Sequence, residues 1–116
     1  MRAYEYLLKY AAVWSTSDPE SETTPSAARE LTLAKLLAED LRALGAADAR
    51  VDEYGYVYGT LPAGEGCEAL PALGLIAHMD TAPDAPGEHV HPLLHEQYDG
   101  GELRLQYQLD FGGQYA

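Results

Sequence analysis

A histidine and an aspartate stand two residues apart at the end of a short apolar run. The run is Ala72–Thr81, and it carries His78 and Asp80. Prolines bound it on both sides, which favours a buried strand over a helix. Because side chains at i and i+2 of a strand project from one face, we expect the imidazole and the carboxylate to lie side by side. Such a pair is a candidate metal or catalytic site, since a carboxylate orients a metal-bound imidazole. The alternative is a hydrogen-bonded histidine at a strand end with no chemistry.

Other potential ligands and nucleophiles carry weaker signals. His89, His91 and His95 suggest a second metal site, but Pro92 disfavours a helix that would bring the last two together. We therefore interpret these three as loop histidines. Cys67 has acidic neighbours that disfavour a thiolate, so we do not assign it a nucleophilic role.

Two amphipathic helices are predicted upstream of the candidate site. The first covers Ala3–Trp14, where apolar residues recur at helical spacing. For the second, Thr24 is the predicted N-cap, Pro25 the first helical residue and Gly45 the left-handed C-terminal cap after Leu44. The predicted apolar face of the second helix comprises Ala27, Leu31, Ala34, Ala38, Leu41 and Leu44.

Alternating patterns predict strands around a glycine-containing turn. Ala49–Glu53 and Tyr56–Leu61 flank Tyr54-Gly55, which is typical of a β-hairpin. The three tyrosines at positions 54, 56 and 58 suggest either a stacking platform or sheet packing, and the acidic surroundings favour packing. A further strand is predicted over Glu102–Leu109, after the turn Asp99–Gly101.

Composition limits the classes of partner and compartment. The formal net charge of −12, with a sequence pI of about 4.4, disfavours nucleic acid and anionic membranes as partners. A single cysteine excludes an internal disulfide. No apolar run is long enough to span a membrane, and the first residues do not resemble a signal peptide, so we expect a cytoplasmic protein.

The motifs around the candidate site resemble the peptidase T family. The matching segments are Leu75–Asp84, with the letters LIAHMDTAPD, then Gly87, Val90 and Pro92, then Tyr98–Leu103. This family is the tripeptide aminopeptidase branch of the dizinc exopeptidases. The upstream helices and the Asp52–Val57 segment are also similar to that family, so the resemblance covers nearly the whole chain from Tyr4 to about Leu105.

The resemblance implies a function and roles for two residues. His78 matches the first zinc-binding histidine, and Asp80 matches the active-site aspartate that orients this imidazole. It further implies two zinc ions in the complete enzyme, a glutamate general base and short peptide substrates, with a homodimer left open. The implied fold is α/β, a three-layer α/β/α zinc-exopeptidase-like catalytic domain. Residues 1–116 would supply the N-terminal part of that single domain, namely two helices, a hairpin and a central strand.

The sequence also departs from the family pattern. It lacks counterparts of the bridging aspartate, the glutamate pair, the further carboxylate ligand and the last histidine. His89 stands where the family tends to have asparagine, and the pattern is lost from Gln106 onward. We therefore expect an incomplete site in an N-terminal fragment. Two alternatives remain open: a catalytically silent α/β module, and a deacylase or carboxypeptidase of the same superfamily.

Overall fold

The computed structural model describes residues 1–103 of the chain. Within them lie two helices, α1 (Ala3–Ala11) and α2 (Glu30–Ala43), and two strands, β1 (Arg50–Val51) and β2 (Val57–Tyr58). The strands form a two-stranded antiparallel sheet. The described part is therefore α/β in kind, as the sequence predicted.

Helix α1 is shorter than predicted. It ends at Ala11 rather than Trp14, and none of its residues is buried. The prediction failed because the chain turns after Ala11, where the Val13 N–H donates to the Tyr10 carbonyl at 3.0 Å, and then enters another pairing, in which Ser17 donates a backbone hydrogen bond to Thr81 and Ser15 accepts one from it. A chain in that bridge cannot also continue the helical hydrogen-bond ladder.

Helix α2 begins at Glu30, so the predicted start at Thr24 and Pro25 was wrong. The Ser26 hydroxyl and the Ala27 N–H both donate to Oε1 of Glu30, the latter at 3.0 Å. This buried carboxylate thus satisfies donors that would otherwise need an N-cap acceptor further upstream. The Thr24-Pro25 peptide bond, which precedes this turn, is cis.

The end of α2 follows the sequence prediction. Gly45 has φ +108°, and its N–H donates to the Arg42 carbonyl at 3.0 Å. The Ala46 N–H donates to the Leu41 carbonyl at 2.9 Å, which completes a Schellman motif. The predicted apolar face was partly wrong, because Leu44 lies at the cap beyond the packed turns and is 57% exposed.

The predicted hairpin is confirmed, with shorter strands. Val51 pairs with Val57 and Arg50 with Tyr58. Oδ1 of Asp52 accepts hydrogen bonds from two backbone amides of the turn, so the connection is longer than the predicted pair of turn residues. Helix α2 packs on this hairpin around a small core, which comprises Leu33, Ala34, Ala38, Ala46 and Ala49.

The predicted buried strand over Ala72–Thr81 was wrong. Only Thr81 makes a β-type contact, an isolated parallel bridge to Thr16, and Leu75 and Ile76 are 88% and 102% exposed. Within residues 1–103 no strand pairs with this run, and an apolar run is buried as a strand only when neighbouring strands and a covering layer surround it. The strand predicted over Glu102–Leu109 lies outside the described residues, except for its first two positions, which are not in a strand.

Candidate metal-ligand site

His78 and Asp80 lie in direct contact. Nδ1 of His78 is 2.9 Å from the Asp80 main-chain oxygen and 3.2 Å from its Oδ1. Both oxygens are acceptors, so Nδ1 is the protonated nitrogen of the neutral ring. The contact forms although the segment is not a strand. His78 and Asp80 are only two positions apart, so the imidazole reaches Asp80 in this backbone conformation as well.

This contact leaves Nε2 as the ring nitrogen with a free lone pair. The His78 side chain is 84% exposed and that of Asp80 is 36% exposed. A metal-bound histidine typically donates its other ring N–H to a carboxylate or carbonyl, which fixes the tautomer and the ring orientation. The geometry of the pair therefore fits a histidine that ligates through Nε2.

A groove runs beside the pair. It has a volume of about 760 Å³, and its walls include Tyr54–Tyr58, Thr23–Ser26 and Leu75–Asp80. One wall carries the Tyr56 and Tyr58 rings, whose centroids are 6.5 Å apart, and Arg50 lies over the Tyr58 ring at 5.0 Å. These tyrosines pack on each other and on an arginine within the hairpin, and the imidazole faces the same open space.

The loop after α1 anchors the chain next to the pair, which sequence reasoning did not predict. Thr81 N–H donates to the Ser15 carbonyl at 3.2 Å, and Ser17 N–H donates to the Thr81 carbonyl at 3.0 Å. The Thr16 and Thr81 hydroxyls are 2.9 Å apart, and the Ser15 hydroxyl donates to the Met79 carbonyl at 3.3 Å. Residue types gave no signal for this, since the partners are 64 to 66 positions apart.

Arg29 supports the same loop from the other side. Its Nε donates to the Thr16 carbonyl, and its Nη2 lies 3.4 Å from the Ser17 carbonyl. The guanidinium also stacks over the Trp14 ring, 4.4 Å from its centroid. The Arg29 guanidinium is thus fixed by two carbonyls and an aromatic ring, and through these contacts it stabilises the loop.

The remaining candidate residues are not brought together. His89 contacts only the neighbouring Glu88, with Nε2 3.5 Å from Oε1, while His91 and His95 are exposed. Cys67 is an exposed free thiol. Among residues 1–103, no group of three or more histidine, cysteine, aspartate or glutamate side chains is arranged to hold a metal ion.

The donors present therefore fit one part of a metal site. His78 offers one ligating nitrogen, and Asp80 is engaged with the other nitrogen. A catalytic zinc takes three protein ligands. The pair thus has the arrangement of a histidine ligand with an orienting carboxylate, and residues 1–103 do not add the two further protein ligands of a catalytic zinc.

Comparison with known proteins confirms the resemblance to peptidase T. The chain is 52% identical over 101 residues to Peptidase T of Desulfitobacterium hafniense, which covers 87% of this chain and 24% of that protein. It is 45% identical over 104 residues to Peptidase T of Geobacillus thermodenitrificans, covering 90% and 25%. For Peptidase T of Clostridium perfringens the identity is 41% over 105 residues, again covering 90% and 25%. The chain is thus homologous to proteins named Peptidase T.

These matches cover only part of each relative. The chain spans about a quarter of the length of the curated relatives it matches. No family model matches the sequence. In residues 1–103, neither helix is long and apolar enough to cross a membrane.

Proposed function

We propose that the natural protein containing this sequence is a zinc-dependent aminopeptidase that releases the N-terminal residue from short peptides, such as tripeptides. The observation that carries the proposal is the His78–Asp80 contact, which lies within a stretch homologous to proteins named Peptidase T. The contact holds Nδ1 and leaves Nε2 free for a metal, as a hydrolytic metal site requires.

In the proposed mechanism each residue of the pair has a separate task. His78 would hold one of two zinc ions through Nε2. Asp80 is a positioning residue: it accepts a hydrogen bond from the Nδ1–H group, keeps the ring in one tautomer and raises its basicity as a ligand. Bound zinc would lower the pKa of a water molecule and polarise the scissile carbonyl. The general base and the other ligands come from parts of the longer protein that this sequence does not contain.

The same proposal extends to fold, partners and compartment. Residues 1–116 form the N-terminal part of one three-layer α/β/α catalytic domain, in which the exposed 72–81 run becomes a paired strand. Short peptides are the substrates, a homodimer is compatible with the proposal, and the net charge of −12 disfavours nucleic acid and membrane partners. The proposed location is the cytoplasm.

A hydrolysis panel tests the function. The natural gene product containing this sequence is assayed with a tripeptide, the same tripeptide blocked at its amino terminus, and an N-acyl amino acid. We expect cleavage of the free tripeptide alone, loss of activity with a chelator and recovery when zinc is restored. Activity confined to the acyl substrate would instead identify a deacylase, and activity that survives chelation would refute the metal mechanism.

A second candidate applies to the 116-residue chain by itself. The donors described here supply one zinc-ligating nitrogen, whereas a catalytic zinc needs three protein ligands. The isolated chain is then a catalytically silent α/β module. Metal analysis of the purified chain tests this, because one zinc bound per chain without a partner would contradict it.

A further inference from the structure

We propose that Thr16 and Thr81 are positioning residues that set the orientation of the His78 imidazole. The inference rests on the proposed function in one respect: the orientation of the imidazole has a functional consequence only if His78 ligates a metal. The observations that carry it concern the chain alone. They are the backbone bridge at Thr81, the hydroxyl pair and the close approach of Gly87 to that pair.

The peptide group between Asp80 and Thr81 links the bridge to the imidazole. Its N–H donates to the Ser15 carbonyl at 3.2 Å, and its carbonyl accepts from Nδ1 of His78 at 2.9 Å. A trans peptide is planar, with N–H and C=O pointing in opposite directions. Fixing the N–H against Ser15 therefore fixes the direction of the carbonyl to which the imidazole is bonded.

The two threonine hydroxyls lock this peptide group from the side. Oγ1 of Thr16 and Oγ1 of Thr81 are 2.9 Å apart, and Thr16 is only 8% exposed. A Cβ added to Gly87 would lie 2.2 Å from Oγ1 of Thr16 and 2.9 Å from Oγ1 of Thr81. Gly87 thus closes over the hydroxyl pair with no room for a side chain, so the pair cannot separate toward it.

The loop that carries Thr16 is itself held. Arg29 donates to the Thr16 carbonyl and stacks on Trp14, which lies in the same loop. Because Arg29 holds the loop at Thr16 and Trp14, we expect the loop to stay in place when the hydroxyl pair is lost. The resulting shift then falls on the Asp80–Thr81 peptide group. The consequence is that Thr16 and Thr81 act on His78 without touching it.

The test measures the tautomer of His78 in the 116-residue chain, without metal or peptide. The chain is labelled with ¹⁵N-histidine and studied above the ordinary histidine pKa, and the His78 signals are identified by their loss in His78→Asn. The wild-type chain should hold the proton on Nδ1. Thr16→Val and Thr81→Val should each lower the ratio of the Nδ1–H to the Nε2–H form by about fivefold, the size expected for one lost neutral hydrogen bond.

Matched variants separate positioning from folding. Thr81→Ser retains the hydroxyl and should restore the wild-type ratio. Thr32→Val makes the same change at an exposed position of α2 and should leave the ratio unchanged. Equal ratios in Thr81→Val and wild type, or an equal loss in Thr81→Ser, would overturn the proposal.

A second measurement needs no variant. In the wild-type chain, the amides of Ser17 and Thr81 should exchange with solvent at least tenfold more slowly than that of Gly74, where a Cβ would meet nothing within 4 Å. Equal exchange rates would refute the bridge and the inference with it. Failure of the peptidase proposal would instead appear in the hydrolysis panel and leave both of these measurements unchanged.

Discussion

Asp40 of α2 contacts two residues of α1, and its replacement tests how much this junction contributes to the free energy of unfolding. Oδ1 and Oδ2 of Asp40 lie 2.6 and 2.8 Å from Nζ of Lys9, and the Tyr10 hydroxyl donates to Oδ2 at 2.9 Å. The Lys9 side chain is 32% exposed and that of Asp40 is 13% exposed. This cluster fixes the end of α1, from which the loop to Thr81 departs.

The cost of losing the carboxylate follows from these contacts. A hydrogen bond to a charged group contributes about 1.5–3 kcal/mol, but the exposed part of Lys9 can return to water, so we take about 1 kcal/mol for that pair. The Tyr10 hydroxyl adds about 1 kcal/mol. We therefore expect Asp40→Ala to lower the free energy of unfolding by about 2 kcal/mol. Asp40→Asn, which retains an acceptor for Tyr10, should cost about half as much.

The pH dependence of stability has a definite sign at each end. The Lys9 hydrogen bond holds the pKa of Asp40 below its usual value, and the Tyr10 bond adds to this, although partial burial opposes both. A depressed pKa stabilises the fold above the unfolded-state pKa of about 3.9, and this stabilisation is lost as the pH falls through the lower folded-state pKa. At the alkaline end, burial and then Asp40 raise the pKa of Tyr10 to about 12. This stabilisation is present below about pH 10 and is lost as the pH rises toward 12.

Urea unfolding followed by circular dichroism provides the assay. Wild type, Asp40→Ala, Asp40→Asn, Lys9→Met and the Asp40→Asn/Lys9→Met double variant are compared at pH 7 and pH 3, and Tyr10→Phe is compared with wild type at pH 9 and above. The Asp40 and Lys9 effects should be coupled by about 1 kcal/mol at pH 7, and the coupling should shrink in acid. Additive effects at pH 7, or coupling that grows in acid, would refute the account of this cluster.

Two further substitutions test the remaining supports of the site. Gly87→Ala should destabilise the chain by about 1–3 kcal/mol through its overlap with Oγ1 of Thr16 and speed exchange of the Ser17 amide, whereas Gly74→Ala, where nothing lies within 4 Å, should not. Equal effects of the two glycine variants would contradict the close packing. Ser26→Ala should lower the free energy of unfolding by about 1 kcal/mol in the same urea assay, because it removes a donor to Glu30 at the start of α2. Ser26→Thr keeps a hydroxyl and should retain most of the wild-type stability. An unchanged unfolding midpoint in Ser26→Ala would contradict the role given to that serine.

Local features of the fold could be predicted from the sequence. The end of α2 could be predicted because helices commonly end at a glycine in the left-handed conformation, and Gly45 has that conformation. The closeness of His78 and Asp80 also follows from spacing alone, since two residues separated by one can contact each other in more than one backbone conformation. Both predictions depend on interactions within a few positions along the chain.

Features that depend on competing local contacts or on distant partners could not be predicted. The start of α2 differs because the Glu30 carboxylate accepts hydrogen bonds from Ser26 and Ala27, in place of the cap expected at Thr24. The bridge between Thr16 and Thr81 joins positions 65 apart, and no periodicity encodes such a pairing. The 72–81 run has the composition of a buried strand, yet burial depends on what covers it and not on its own residues.

The central claim is that His78 is a metal ligand, and metal content tests it most directly. The natural gene product containing this sequence is purified without chelators, and zinc per chain is measured by mass spectrometry in wild type, His78→Ala and His91→Ala. His91 is an exposed loop histidine and serves as the matched control. We predict that His78→Ala loses at least one zinc per chain and that His91→Ala retains the wild-type content. Full zinc content in His78→Ala would contradict the account.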